Sequence, residues 1–401
     1  MTKSAPKSQV IVEFLVVAVC TLVFALTALG ICGSLLSPGA AGRRDFVEYW
    51  ASGNLIAHHA DPYNAEAILK LERSAGFPPD MAPIIMGNPP SALLLVLPLG
   101  LFSPTAGELV WELLLLISLA VSVSTVRKVY GQPKSLLDLL GYSFAPALSC
   151  LLSGQVTIFL LLGLALFLRW NRTRPFLAGA ALWFCLLKPH LFVPFGLVLL
   201  LWIVLTRSYR VLMGTIAALS LSSAVATSMN PAVWTQYGQM MRESRLDRVV
   251  IPSASTVLRQ YVYPHTLWVQ CLPVGFACVW ALAYFWKRRE GWDWKEQGSL
   301  LMLVSVFSAP YTWFMDQAVL IPAILRGAYQ TRSRTLIAVL ALMSAIIEVG
   351  ILSKVPLLHS NFYLWTAPAW LAWYWIVTGP RRVNAANAVV PPAEAAIQPE
   401  L

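Results

Sequence analysis

The chain is dominated by a succession of long apolar stretches, of which Leu113–Val126 is typical, separated by short clusters of basic residues. A hydrocarbon core ~30 Å thick requires ~20 apolar residues per helical crossing. Without water, such a segment must satisfy its own backbone hydrogen bonds. Composition agrees, since 58% of residues are hydrophobic and 12% are charged, whereas soluble domains carry about 25% charged residues. Mean hydropathy is +0.66. The period-two alternation of a barrel is missing, so the expected fold is an all-α integral membrane protein, a polytopic helical bundle.

The net charge of +10 does not point to nucleic acid. The basic residues fall in clusters between apolar runs, among them Arg169/Arg172/Arg174, Arg207/Arg210, Lys287-Arg288-Arg289, Arg332/Arg334 and Arg381-Arg382. Assigning these clusters and the Lys3/Lys7 N-terminus to the cytoplasm follows the positive-inside rule. Two larger loops, 40–90 and 228–265, then lie on the outer face. Thirteen apolar segments cannot join two cytoplasmic termini. The shortest, Ser91–Phe102, would cover only ~20 Å as a helix. It is expected to be re-entrant or strongly tilted, leaving roughly 12 transmembrane helices; if it spans, segment 135–152 does not. Residues 1–382 read as a single transmembrane domain, and 383–401, rich in Ala and Pro, as a disordered cytoplasmic tail. The six cysteines lie in or beside apolar stretches without metal-like spacing, and neither a disulfide framework nor a metal site is expected.

Chemistry concentrates where polar residues meet these apolar runs. Arg43-Arg44-Asp45-Phe46-Val47-Glu48-Tyr49-Trp50 follows the first apolar segment. Asp45 is either a candidate catalytic carboxylate or a loop acid or helix cap. Arg44 suits bidentate phosphate binding, and Tyr49 and Trp50 suit sugar faces or the membrane interface. Asn88-Pro89-Pro90 closes the first outer segment, and Gly154-Gln155 ends a later apolar run. Lys188-Pro189-His190 interrupts an apolar run of about 30 residues, where an ionisable group is costly enough to mark function. Snorkelling of Lys188 from a helix end is the alternative. Asp316 is a candidate site acid or a helix N-cap, and Arg259 a candidate phosphate contact. Asp61-Pro62 reads as a turn.

P-loop, Rossmann, HExxH and GxSxG signatures are absent. So is Asp-x-Asp, which argues against a nucleotide donor held on a metal. A lipid or solute transporter would also be a polytopic bundle with intramembrane charge, but should show symmetry between its halves. None is visible. A non-catalytic scaffold, in which the same charges only set topology, is the remaining alternative.

Taken in order, DFxxYWxxG (Asp45–Gly53), DPY (Asp61–Tyr63), NPP (Asn88–Pro90), Gly154-Gln155, AG…KPH (Ala178 to His190) and SAPYTWFMDQ resemble glycosyltransferase family 87. The resemblance implies a GT-C-fold membrane enzyme of the cytoplasmic (inner) membrane, with its active site on the outer face. The donor would be a polyprenyl-phosphate-linked sugar, with mannose the default, and the acceptor a glycolipid or glycan. Membrane lipids would be the remaining partners; no cofactor or metal is implied. Asp45 would be the catalytic base, while Lys188, His190 and Asp316 would line the donor or acceptor site with Arg44, Tyr49, Trp50, Asn88, Gln155 and Arg259. Members of the family often carry His near the Pro-aromatic stretch. Tyr311 and Trp313 stand there in this chain, and His190 or His265 would substitute.

Overall fold

The computed structural model describes residues 7–37, 39, 41–244, 251–264, 266–355, 357 and 360–379. The 383–401 tail, Lys3, Arg245, Arg248, His265, Arg381 and Arg382 lie outside the described residues. Among those described, all regular structure is helical.

Among the described residues, six helices are long and apolar enough to cross a bilayer: Ile11–Leu35, Pro104–Val129, Pro189–Thr206, Tyr209–Met229, Leu267–Trp286 and Arg334–Leu352. A seventh crossing would be the pair Leu136–Tyr142 and Ala145–Ser153, bent by 46°. Pro90–Leu101, Thr157–Trp170 and Pro175–Leu187 are apolar but shorter. The protein is therefore multi-pass, while the expectation of roughly twelve spans goes beyond what these helix lengths support. Ser91–Phe102 and 135–152, the two segments singled out as possible non-spanning ones, are respectively short and bent.

The breaks have local causes. Pro146 sits in the first turn of Ala145–Ser153, where its missing N–H costs nothing. The backbone groups exposed at that break are taken up by Ser344 of the Arg334–Leu352 helix. Its hydroxyl accepts from the Ala145 N–H at 2.7 Å and donates to the Ser143 carbonyl at 3.1 Å. Pro189 likewise opens a helix. A residue preceding proline is driven out of helical geometry, and Lys188 has φ −135° and ψ 70°. An ammonium is thereby delivered to a gap between two apolar helices rather than onto a lipid-facing side.

Segment 40–90, expected as a loop, contains two helices, Phe46–Ala57 and Ala65–Ser74. Asn64 caps the second by accepting from the Ala67 N–H at 2.9 Å. The Asp61 carboxylate accepts from the Tyr63 N–H at 2.9 Å, the expected turn. Glu72 is fully buried and accepts from the Ile84 N–H at 3.1 Å, tying the following loop down. Burial lifts its pKa to about 7, against the lowering effect of that bond.

Phe46–Ala57 lies against Pro90–Leu101 with the two backbones touching. A Cβ on Gly53 would sit 2.2 Å from the Val96 carbonyl oxygen, and one on Gly100 2.2 Å from Gly53 itself. Asn54 Nδ2 donates to the Gly100 carbonyl at 3.0 Å. Glycine in DFxxYWxxG is thus a packing requirement.

Arg44 anchors the start of the same helix. Its Nη1 donates to Glu108 at 2.8 Å and its Nη2 to Glu112 at 2.7 Å, acids one turn apart on the Pro104–Val129 helix. Its Nε donates to the Leu152 carbonyl at 2.8 Å, and Nη2 also reaches the Leu151 carbonyl. Arg44, Glu108 and Glu112 are all buried. Arginine serves here because its planar fork meets several acceptors at once.

Two outcomes follow from this packing. Gly53→Ala should lower thermal stability in detergent by about 1–3 kcal/mol, the usual overpacking cost. A melting temperature equal to wild type would contradict the backbone contact. Arg44→Ala strands two buried carboxylates and should cost about 3–5 kcal/mol, with Arg44→Lys recovering only part of it. Equal melting temperatures for the wild type and Arg44→Ala would contradict the buried network.

Candidate active site

A cleft of about 880 Å³ opens between the Phe46–Ala57 helix, the 81–89 loop, the Gly154-Gln155 turn, the Lys188 break and the 311–316 stretch. The turn decides its geometry. Gly154 ends Ala145–Ser153 in the left-handed region at φ 75°, a conformation that favours glycine. Its Cα faces Phe46, so that a Cβ there would approach the Phe46 Cβ to 3.0 Å. Its carbonyl accepts from Trp111 Nε1 at 2.7 Å. The chain reversal aims Gln155 back at the start of the Phe46–Ala57 helix.

Gln155 links three of the expected site residues. Its Nε2 donates to Asp45 Oδ2 at 2.8 Å. Its Oε1 accepts from the Tyr49 hydroxyl at 2.9 Å and from Lys188 Nζ at 3.1 Å. These partners fix the amide orientation, because only a carbonyl accepts from an ammonium. Lys188 Nζ also donates to Asp316 Oδ1 at 2.7 Å. The Thr157 hydroxyl donates to the same oxygen at 2.9 Å, and the Trp313 N–H to Asp316 Oδ2 at 3.0 Å. Of the two readings of Asp316, site acid or N-cap, the N-cap does not hold: it lies in the first turn of Phe314–Leu320 and reaches back to the cap residue.

The two acids differ in electrostatics. Burial alone would raise the Asp316 pKa, but the Lys188 ammonium, through charge and hydrogen bond, more than offsets it, with His190 and the Trp313 N–H adding to the effect. Asp316 is held below the ordinary value of 3.8 and stays ionised. For Asp45 burial prevails over the Gln155 hydrogen bond and the Lys188 and Arg44 charges, so its pKa is raised above 3.8.

His190 stacks on Tyr311 with ring centroids 3.9 Å apart. Its buried Nε2 has no hydrogen-bond partner among the described residues. A histidine thus reaches the Pro-aromatic stretch from Lys188-Pro189-His190 instead of from that stretch itself. Asn88 lines the cleft while its Nδ2 donates to the Leu187 carbonyl at 2.7 Å, fixing the residue before Lys188.

Arg44 and Trp50, expected to bind ligand, make other contacts, and Arg259 is placed away from the cleft. Arg44 borders the cleft, but its donors go to Glu108, Glu112 and two backbone carbonyls, so the expected phosphate contact is replaced by an anchoring role. Trp50 is buried, and its Nε1 donates to the Phe102 carbonyl at 3.0 Å, away from the cleft. Arg259 is buried in the last turn of Ala254–Val262 and does not line the cleft. Its helix packs against the end of Trp294–Ser308, where Ser255 reaches the Ser308 carbonyl.

The sequence reading missed two groups of acids. Glu108 and Glu112 sit inside an apolar run, and their spacing of four was the available signal. Glu48 lies one helical turn from Asp45, the spacing that puts residues on one helix face. It is buried and lines the same cleft. Burial, then the Asp45 charge, lift its pKa to about 8.

Neither a curated protein nor a solved structure matches the chain at a significant level. The sequence model of glycosyltransferase family 87 matches residues 87–310. That interval holds Asn88, Gln155, Lys188 and His190. Asp45 precedes it and Asp316 follows it, so these two join the site through geometry alone. The match takes in more than half of the chain, which belongs to glycosyltransferase family 87 and is a multi-pass membrane glycosyltransferase.

Proposed function

We propose that the chain transfers a sugar, mannose by default, from a polyprenyl phosphate to a lipid-linked or glycan acceptor. Transfer would occur at the extracytoplasmic face of the cytoplasmic membrane, with both termini cytoplasmic and the bundle of GT-C type. The charge alternation along the sequence supports that orientation, and the family supports the donor class. The observation that carries the mechanism is the bridge from Asp45 through Gln155 to Lys188. It holds a carboxylate and an ammonium in one cleft at a fixed separation.

In this reading Asp45 is the general base. The acceptor hydroxyl oxygen attacks the anomeric carbon and its proton passes to Asp45. The bond from that carbon to the phosphate oxygen breaks, its electron pair leaves with the polyprenyl phosphate, and configuration inverts. A raised carboxylate pKa suits the task, because a base is most effective when its pKa approaches the working pH. Lys188 faces the departing phosphate, kept charged and aimed by Asp316, with the His190 ring alongside on Tyr311. Charge stabilisation of this kind is commonly the largest catalytic contribution.

Asp45→Asn should leave folding and donor binding intact and reduce transfer from polyprenyl-phosphate mannose to a lipid extract by ~10²–10⁴-fold. Transfer near the wild-type rate would remove Asp45 as the base. Because the base must be ionised and its pKa is raised, wild-type activity should fall with decreasing pH at a value above 3.8. A rate profile flat down to that pH would contradict the assignment. Lys188→Met should lose transfer by ~10²–10³-fold and lose stability, since Asp316 is left buried and unpaired. Adding Asp316→Asn should restore the melting temperature but not transfer. Recovery of transfer in the double variant would reduce the ion pair to a structural role.

A further inference from the structure

Among the described residues, Glu48 is the one acid of the cleft that the proposed mechanism does not use. It is buried to 7% exposure and stands one turn along the Phe46–Ala57 helix from Asp45. Side chains three apart on a helix face have Cβ atoms ~5–6 Å apart. On its own helix it is flanked by Asp45 and Tyr49. Glu72 faces it from the Ala65–Ser74 helix and Lys188 from the proline break. Arg43, Arg44, His190, Tyr237, Tyr311 and Asp316 complete the charged and titratable lining of the cleft among the described residues.

Among the described residues no cation forms with Glu48 the ion pair that a buried carboxylate requires. Arg44 is committed to Glu108 and Glu112, and Lys188 to Asp316. The Tyr49 hydroxyl beside Glu48 gives its single proton to Gln155. Two acids this close in a buried site do not both ionise; one retains its proton. Asp45 has the Gln155 amide as a donor to its carboxylate, so the proton stays on Glu48.

We propose that Glu48 is a second substrate-binding group of this cleft, a carboxylic acid whose O–H donates to a hydroxyl oxygen of the sugar being transferred or of the acceptor. The inference rests on the glycosyl-transfer reading above and adds to it. The reacting hydroxyl must lie ~2.6–3.2 Å from its base. A group one helical turn from Asp45 then meets the neighbouring hydroxyls of the same substrate. A neutral acid is suited to this position because it donates without adding negative charge beside the departing phosphate.

The test compares Glu48→Ala and Glu48→Gln with the wild type as purified full-length protein. Glu48→Ala should raise KM for one substrate by about 5- to 10-fold, the worth of one hydrogen bond. A rise for polyprenyl-phosphate mannose assigns the contact to the donor sugar, and a rise for the lipid acceptor assigns it to the acceptor. Glu48→Gln, whose amide also donates, should recover most of that loss at neutral pH. Wild-type transfer should decline as pH rises through about 8, because the O–H is lost and a charge appears; Glu48→Gln should lack this decline. Glu48→Gln as impaired as Glu48→Ala, or a decline identical to wild type, would overturn the proposal. Infrared difference spectra of wild type minus Glu48→Gln should show the carbonyl stretch of a protonated carboxyl at pH 7, independently of any transfer assay. Its absence overturns the inference even if transfer occurs. Its presence without transfer by wild type would sink the glycosyl-transfer reading instead.

Discussion

The Gln155 amide is the group on which the rest of the site depends. It gives a hydrogen bond to Asp45 and takes one each from Tyr49 and Lys188, so the acidic and basic halves of the cleft are positioned by one side chain. Its own placement depends on Gly154, whose left-handed backbone and missing Cβ allow the turn to pass against Phe46. A polar network of this sort gains rigidity only when every member is satisfied. Here the chain of partners runs from Asp45 to the Trp313 N–H, across four separate segments of the sequence.

The surrounding bundle shows how a largely apolar protein carries such a network. Proline breaks let polar residues emerge between helices, and the backbone groups freed there find partners, as Ser344 shows at Ser143 and Ala145. Two sets of buried charges compensate one another: Arg44 with Glu108 and Glu112, and Lys188 with Asp316. The first set holds the start of the Phe46–Ala57 helix against the bundle and the second faces the cleft. Removing one member of either leaves a charge that the low-dielectric interior does not tolerate.

The helical membrane class was legible from composition and run length, because lipid leaves the backbone little choice. Asp45, Gln155 and Lys188 could be picked out because each interrupts or borders an apolar run. Direction was not legible. Arg44, Trp50 and Arg259 have residue types that bind phosphate or sugar, yet all three turn into the protein, and nothing in their own letters says which way a side chain points. Glu48 carries no local signal that separates it from a solvated acid. Its partnership with Asp45 became visible only once the segment proved to be a helix rather than a loop. The Gly53–Gly100 contact likewise joins distant residues, with the glycine of the motif as its only local trace.

In the proposed reaction one cleft holds donor phosphate and base in register across Gln155. The most direct measurement is a cryo-electron microscopy structure of the protein with a non-cleavable polyprenyl-phosphonate sugar. Phosphonate oxygens are expected within hydrogen-bond reach of Lys188, with the anomeric carbon facing Asp45 across a gap the size of a hydroxyl. A phosphonate bound elsewhere in the bundle, or a sugar turned away from Asp45, would contradict the proposed reaction.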